Sequence, residues 1–258
     1  MADNRYKVPA LGRAAEILDF LSLKDADFPT IVDEVGLPKS SVYSLLKSLE
    51  ELGWVRRLPG KQGYALGFKL FELGNLAVSK INIRDNAMGL LRDLCAAEAL
   101  TCHLGCLDGN DGVYLAKVDP EKGFLINSWE GKRVALKSSA MGKVFLAWRD
   151  PAERGALMGA TPFVKKTGKT IMDPVDFVAH IEKVRRMGYA LDNEEDVVGI
   201  RCVAAPVFNS RAEVNYAISV SGSSQEIPDI RVPGLARAVV KKAALLSAAI
   251  GAPSRQVA

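Results

Sequence analysis

The chain has 258 residues, of which 48% are hydrophobic and 25% charged, and it carries a formal net charge of +4 and four cysteines. This is the composition of an ordinary soluble globular protein with enough length for two domains and too few cysteines for a disulfide framework, so they read as free thiols. No stretch approaches the roughly 18 uninterrupted apolar residues of a membrane span, and Met1–Pro9 has no apolar core like that of a signal peptide. The expectation is a cytoplasmic protein with no membrane partner, whose mild basicity permits nucleic acid without arguing for it.

Residues 9–52 read as three short helices. In the first, Leu11, Ala14, Ala15, Leu18 and Leu21 fall on one apolar face. Asp27 and Pro29 announce the second, and Gly36 stops it. The third starts near Pro38, buries Val42, Leu45, Leu46 and Leu49, and closes at Gly53. Two strand-like runs follow, Trp54–Leu58 and Tyr64–Leu66, around the turn signal Pro59-Gly60-Lys61-Gln62-Gly63. From Phe68 the helical period returns, with a stripe at Leu70, Leu73, Ala77 and Ile81 and a break near Asn82–Asn86. Beyond it the spacing predicts strands at 101–107, 112–118, 202–208 and 214–221. Helices are predicted from near Ser139 and over 174–187 and 232–250. The fold class is therefore α+β with a mainly antiparallel sheet.

Burying positions 42, 45, 46 and 49 turns Ser40, Tyr43, Ser44 and Lys47 outward at i, i+3, i+4 and i+7. Short hydroxyl side chains near a helix start, with a cation further on, suit a recognition helix in a major groove. Lys39 and Ser41 extend that face, while Arg56, Arg57 and Lys61 on the hairpin suit a wing along the flanking phosphates or minor groove. Arg13, early in the first helix, is a further phosphate candidate. The alternative is a protein-interaction adaptor with a solvated polar face, which would show no salt-dependent binding to duplex DNA.

Four segments in order carry a family resemblance. Leu37-Pro38-Lys39-Ser40-Ser41-Val42-Tyr43-Ser44-Leu45-Leu46 with Leu49–Val55 resembles the DNA-binding signature of the IclR family of transcriptional regulators. Ala140-Met141-Gly142-Lys143-Val144-Phe145-Leu146-Ala147 resembles its A-x-G-K segment, and Gly188–Glu195 with Gly199–Val207 resembles its C-terminal stretch. Ala217–Gly222 completes the order, so the resemblance spans about residues 9–250.

The resemblance implies a winged helix-turn-helix at 1–67, a linker helix at 68–84, a GAF-like α/β effector-binding domain at 85–251 and a tail at 252–258. It implies a homodimer or homotetramer that binds a double-stranded DNA operator and a small organic or aromatic acid as effector, with no cofactor. Carried over by motif, Ala140 and Met141 would offer backbone N–H groups at a helix start to a carboxylate. Asp192, Cys202, Ser219 and Ser221 would add polar contacts, and Ile126 and Val134 apolar walls. Ser219 and Ser221 lie two apart on a predicted strand, so they share a face, which could equally be a solvated one. Asp192 leaves a choice: it is protonated beside an anionic ligand, or it accepts from a ligand hydroxyl or amide. Where the family often has His before the A-x-G-K helix, this chain has Lys137.

Catalytic and metal readings are weaker. Thr167-Gly168-Lys169-Thr170 would need glycine at 163 to be a phosphate loop, and Phe163 stands there. Cys102, His103 and Cys106 lack a second ligand pair at zinc spacing, and His103 would point away from both cysteines on a strand. A ligand-binding hydrolase is the alternative enzyme class, but no G-x-S-x-G elbow is present and the only other histidine, His180, falls mid-helix.

Overall fold

The computed structural model describes residues 8–59, 63–79 and 83–253. The chain divides into two compact units, residues 1–80 and 81–258.

In the first unit, helix α1 (Pro9–Leu23) is followed by the short strand β1 (Ala26–Asp27), α2 (Phe28–Val35), α3 (Lys39–Glu51), strands β2 (Val55–Arg57) and β3 (Gly63–Leu66), and α4 (Phe68–Ser79). The signals at the ends of α2 act as expected. The Asp27 carboxylate accepts from the Thr30 N–H at 3.0 Å, and Gly36 adopts φ +64°, returning its own N–H to the Val32 carbonyl. Ile17, Phe20, Leu21, Ile31, Val42, Leu46, Leu49, Val55 and Tyr64 close one apolar core. The buried stripe of α1 is thus rotated from the expected one. Ile17, Phe20 and Leu21 take the interior, Ala14 and Leu18 flank it, and Leu11 stays exposed, because the bulkier triplet buries more apolar area. Strand β1 pairs with β3, Ala26 opposite Tyr64, so the hairpin is a three-stranded sheet in the order β1-β3-β2. Two residues are too short to leave a period-two pattern in the sequence.

The second unit runs α5 (Ile83–Glu98), β4 (Thr101–Asp108), β5 (Asp111–Val118), β6 (Arg133–Val134), α6 (Ala140–Ala147), α7 (Pro151–Ala160), α8 (Pro174–Met187), β7 (Ala190–Asn193), β8 (Ile200–Phe208), β9 (Val214–Ser223) and α9 (Val232–Ala249). Its six strands form an antiparallel sheet ordered β6-β5-β4-β9-β8-β7. Helices α5 and α9 cover one face through Leu91, Leu94, Cys102, Leu104, Val203, Ile218, Val220 and Val239. Helices α6 and α8 cover the other, where Ala190, Ala204 and Ala217 are small enough to let α6 lie close. Strands β6 and β7 and helix α7 add to the predicted elements. A signal for α7 existed: Asp150 before Pro151 caps it through the N–H groups of Ala152 and Glu153, as Asp173 before Pro174 caps α8.

Candidate DNA-binding surface and ligand site

Helix α3 buries Val42, Leu46 and Leu49, with Leu45 half-buried, and exposes Lys39, Ser40, Ser41, Tyr43, Ser44 and Lys47. All six predicted contact residues therefore lie on the free side of one helix. Ser44 donates to the Ser40 carbonyl at 3.0 Å, and the Phe28 and Tyr43 rings meet edge-on at 6.5 Å, which fixes the start of this face against α2. On the wing, the Glu50 carboxylate of α3 holds the Arg57 guanidinium at 3.2 Å and raises its pKa. That guanidinium also stacks on Tyr64, while Arg56 lies over the Phe68 ring. Both cations are thus aimed by neighbours rather than left to rotate. Arg13 sits on α1, where Glu16 binds it at 2.9 Å, and Lys61 lies outside the described residues.

In the second unit, cross-strand register brings chemistry together that no linear motif contains. Asp192 of β7 pairs with Cys202 of β8, Cys202 with Ser221 of β9, and Ser221 with Thr101 of β4. In the next row on the same face, Ala204 pairs with Ser219 and Ser219 with His103. Side chains opposite one another share a face, so Thr101, His103, Cys202, Ser219, Ser221 and Asp192 form one polar patch on the α6 side. The 119–132 segment reaches onto it: His103 Nε2 lies 2.8 Å from Ser128 Oγ, Thr101 donates to Asp119, and Lys117 donates to the Ile126 carbonyl. The Tyr114 ring stacks on His103 at 4.1 Å.

Burial, with the positive charge of Lys117 adding to it, depresses the His103 pKa to about 3, so its ring is neutral. Its Nδ1 is buried and has no hydrogen-bond partner among the described residues. Burial lifts Asp192 to about 7 against the opposing pull of Lys143. The Asp192 carboxylate accepts from the Glu195 N–H at 2.7 Å and the Asp196 N–H at 3.3 Å, so it also shapes the turn after β7. Desolvation likewise pushes up the Cys202 thiol, which faces Ser221.

Ala140 and Met141 form the buried first turn of α6, and Met141 lies on Gly105 of β4, where an added Cβ would come 2.2 Å from its sulfur. Ser139 takes the Gly142 N–H as N-cap, and the N–H groups of the first helical residues have no intrahelical acceptor. Ile126 is half-buried on the covering segment. Val134 is not brought to this patch: it lies on β6, at the opposite edge of the sheet from Asp192, against Gly112.

Three residues of the patch were missed in the sequence. His103, Thr101 and Ser128 became part of it through strand pairing and a covering loop. Alternation around Cys102 and Cys106 did place His103 on the face away from both cysteines, but only the register against Ser219 shows what it meets. Among the described residues, no group of three or more His, Cys, Asp or Glu side chains could hold a metal ion.

An exposed helix-turn-helix with a positioned basic wing, joined to an α/β unit with a polar patch under a loop, defines a DNA-binding transcriptional regulator. Residues 10–59 match the profile of the IclR helix-turn-helix domain, and residues 75–248 match that of the bacterial transcriptional regulator IclR C-terminal domain. The chain belongs to the IclR family. It is 34% identical over 252 residues to the HTH-type transcriptional regulator XynR of Escherichia coli K12, covering 96% of this chain and 99% of that protein. The Thermotoga maritima IclR crystal structure superposes with a TM-score of 0.64 at 33% identity, covering 93% of this chain and 98% of that one. An IclR regulator from Silicibacter sp. TM1040 shares the fold with a TM-score of 0.83 at 22% identity, covering 95% and 97%. Among the described residues, no helix is long and apolar enough to cross a membrane.

Proposed function

We propose that this regulator is controlled by a small organic or aromatic acid bound on the polar patch of its second unit. The observation that carries the reading is His103: a buried neutral imidazole whose Nδ1 has no hydrogen-bond partner among the described residues, on the same sheet face as Ser219 and Ser221. A buried polar atom left open calls for a water or a ligand. The donors at the start of α6 suit a carboxylate, and Asp192, titrating near 7, removes much of the repulsion an anionic ligand would meet in its protonated form. On the DNA side, Lys39, Ser40, Ser41, Tyr43, Ser44 and Lys47 enter a major groove, with Arg56, Arg57 and Lys61 on the flanking backbone and Arg13 as an outlying phosphate contact. Exposed Phe68, Phe71, Leu73 and Leu76 on α4 supply an apolar surface for a second copy, giving a dimer, or a dimer of dimers, on a pseudo-palindromic operator. The effector changes operator affinity only by as much as its own affinities for the two states differ.

The test is a thermal-shift screen of small carboxylic and aromatic acids, followed by titration of operator DNA with and without the hit. Lys47→Ala should weaken operator binding and reduce its salt slope by about one if Lys47 meets a phosphate, with effector affinity unchanged. Ser221→Ala should weaken effector binding and spare the operator. Loss of effector affinity in Lys47→Ala, or an unaltered effector titration in Ser221→Ala, would overturn this division of labour.

A further inference from the structure

A groove lies along the edge of β8 that β7 leaves uncovered. Strand β7 pairs with β8 only from Ala190 opposite Ala204 to Asn193 opposite Arg201. Residues 205–208 of β8 therefore have β9 on one side and, among the described residues, no strand on the other. The space left there, between α9 and the turn that leads from α8 into β7, is a groove of about 650 Å³. That lies within the range of about 300–1,000 Å³ typical of small-molecule sites.

Its walls are apolar. Ala236, Val240 and Ala244 line it from α9, and Met187 and Tyr189 from the opposite side. The apolar α9 positions from Ala236 to Ala244 span about 12 Å along the helix axis, the reach of an extended medium-chain acyl group.

The edge itself is closed to an incoming strand. Pro206 has no N–H to give, and the Phe208 N–H is already taken by Ser247 Oγ at 2.9 Å. What remains open is side-chain surface and charge. Arg237 and Lys241 stand one helical turn apart on the lining, and among the described residues no acidic side chain lines the groove. Lys242, next in sequence, is held by Asp93, whereas neither Arg237 nor Lys241 has an acidic partner among the described residues. A second copy docked here about a two-fold axis would bring two such cation pairs towards each other with no acid in the groove to offset them.

We propose that this groove binds an elongated amphipathic carboxylate, a medium-chain acyl or arylalkanoic acid, with its apolar body against Ala236, Val240 and Ala244 and its head group on Arg237 and Lys241. The site is separate from the polar patch and does not depend on the effector reading.

The test is calorimetric titration of the full chain with decanoate below its micellar concentration, with decanol and decyltrimethylammonium as the neutral and cationic controls. Decanoate should bind saturably and more tightly than either control. The double substitution Arg237→Ala/Lys241→Ala should weaken it by about tenfold or more, as expected for losing a charge-assisted contact. Ala244→Trp should abolish binding by filling the groove. Should that variant fail to fold, Val240→Glu at the half-exposed rim provides the same test by charge. Ser221→Ala should bind decanoate as well as the parent chain does. No saturable binding, equal binding of all three amphiphiles, or binding indifferent to Ala244→Trp and Val240→Glu would overturn the proposal. So would Ala244→Trp dissociating an oligomer that decanoate leaves intact, since the groove would then be an interface between copies.

Discussion

Lys143 is fully buried, and its ammonium is held by the Glu195 carboxylate and by the Leu191 carbonyl at 2.9 Å. Such a pair is weak evidence for stability in itself, because desolvation offsets most of the Coulomb attraction. Breaking it from one side is another matter. Lys143→Met leaves a buried carboxylate without a counter-ion and should cost about 3–5 kcal/mol, read as a lowered urea midpoint. Adding Glu195→Gln should restore much of the loss. Equal destabilisation in the single and double variants would mean that the lysine acts by packing alone.

Asp192 yields a pH prediction whose sign follows from its raised pKa. The unfolded chain releases this proton near 4 and the native state near 7, so in that window the native state holds more protons and stability falls as pH rises. His103 acts in the opposite direction. Its native pKa of about 3 lies below the unfolded value of 6.5, so stability rises with pH between them. The two trends largely cancel in the parent chain. Asp192→Asn keeps an oxygen for the Glu195 N–H and removes the falling trend, so the variant should gain stability more steeply than the parent between pH 4 and 6.5. The effect is at most a few kcal/mol, since one pKa unit is worth about 1.4 kcal/mol. Parallel thermal-unfolding curves for the two proteins across that range would contradict the assignment.

At the scale of elements, α6 shows why its motif has the composition it has. Ala140 starts the helix behind the Ser139 cap, Lys143 reaches the buried pair, and Gly142 faces backbone. A Cβ at 142 would stand 2.4 Å from both the Ala135 carbonyl oxygen and the Leu136 Cα, atoms that cannot move aside as a flexible side chain can. Gly142→Ala should therefore destabilise by about 3 kcal/mol or more, at or beyond the upper end for overpacking, even though alanine is the better helix former. A urea midpoint within experimental error of the parent would show that the 135–136 segment yields. Helices α2 and α8 were legible in the sequence because each has an apolar period of 3.6 between a capping aspartate and a stop glycine, such as Asp173 and Gly188, whereas α3 rests on its period between Pro38 and Gly53 alone. Strands β1 and β6 were not, because two residues carry no period and form only where a longer neighbour offers its edge. The α1 stripe departs from the expected one for a related reason: Leu11, Ala14, Ala15 and Leu18 satisfy the period with Leu21 as well as Ile17 and Phe20 do, and the choice is made by what α2, α3 and β3 present to them.

At the scale of the whole molecule, the proposed dimer makes a prediction of its own. Phe71 on α4 is 69% exposed, so Phe71→Glu should leave the fold intact by circular dichroism. It should shift the light-scattering mass towards the monomer and weaken operator binding, because two half-sites are then no longer read by one particle. An unchanged mass would remove α4 from the interface.

The sequence by itself determined the order of domains, the helix-turn-helix with its outward Ser40, Tyr43, Ser44 and Lys47, and the family, because these depend on local periods, caps and contiguous motifs. Only the tertiary structure decided that His103, Thr101 and Ser128 join Ser219, Ser221 and Asp192, that Asp192 spends hydrogen-bonding capacity on its own turn, and that β8 has an open edge beneath α9. Strand register, loop cover and the length of a neighbouring strand are set by contacts between residues far apart in the chain, and no local pattern records them.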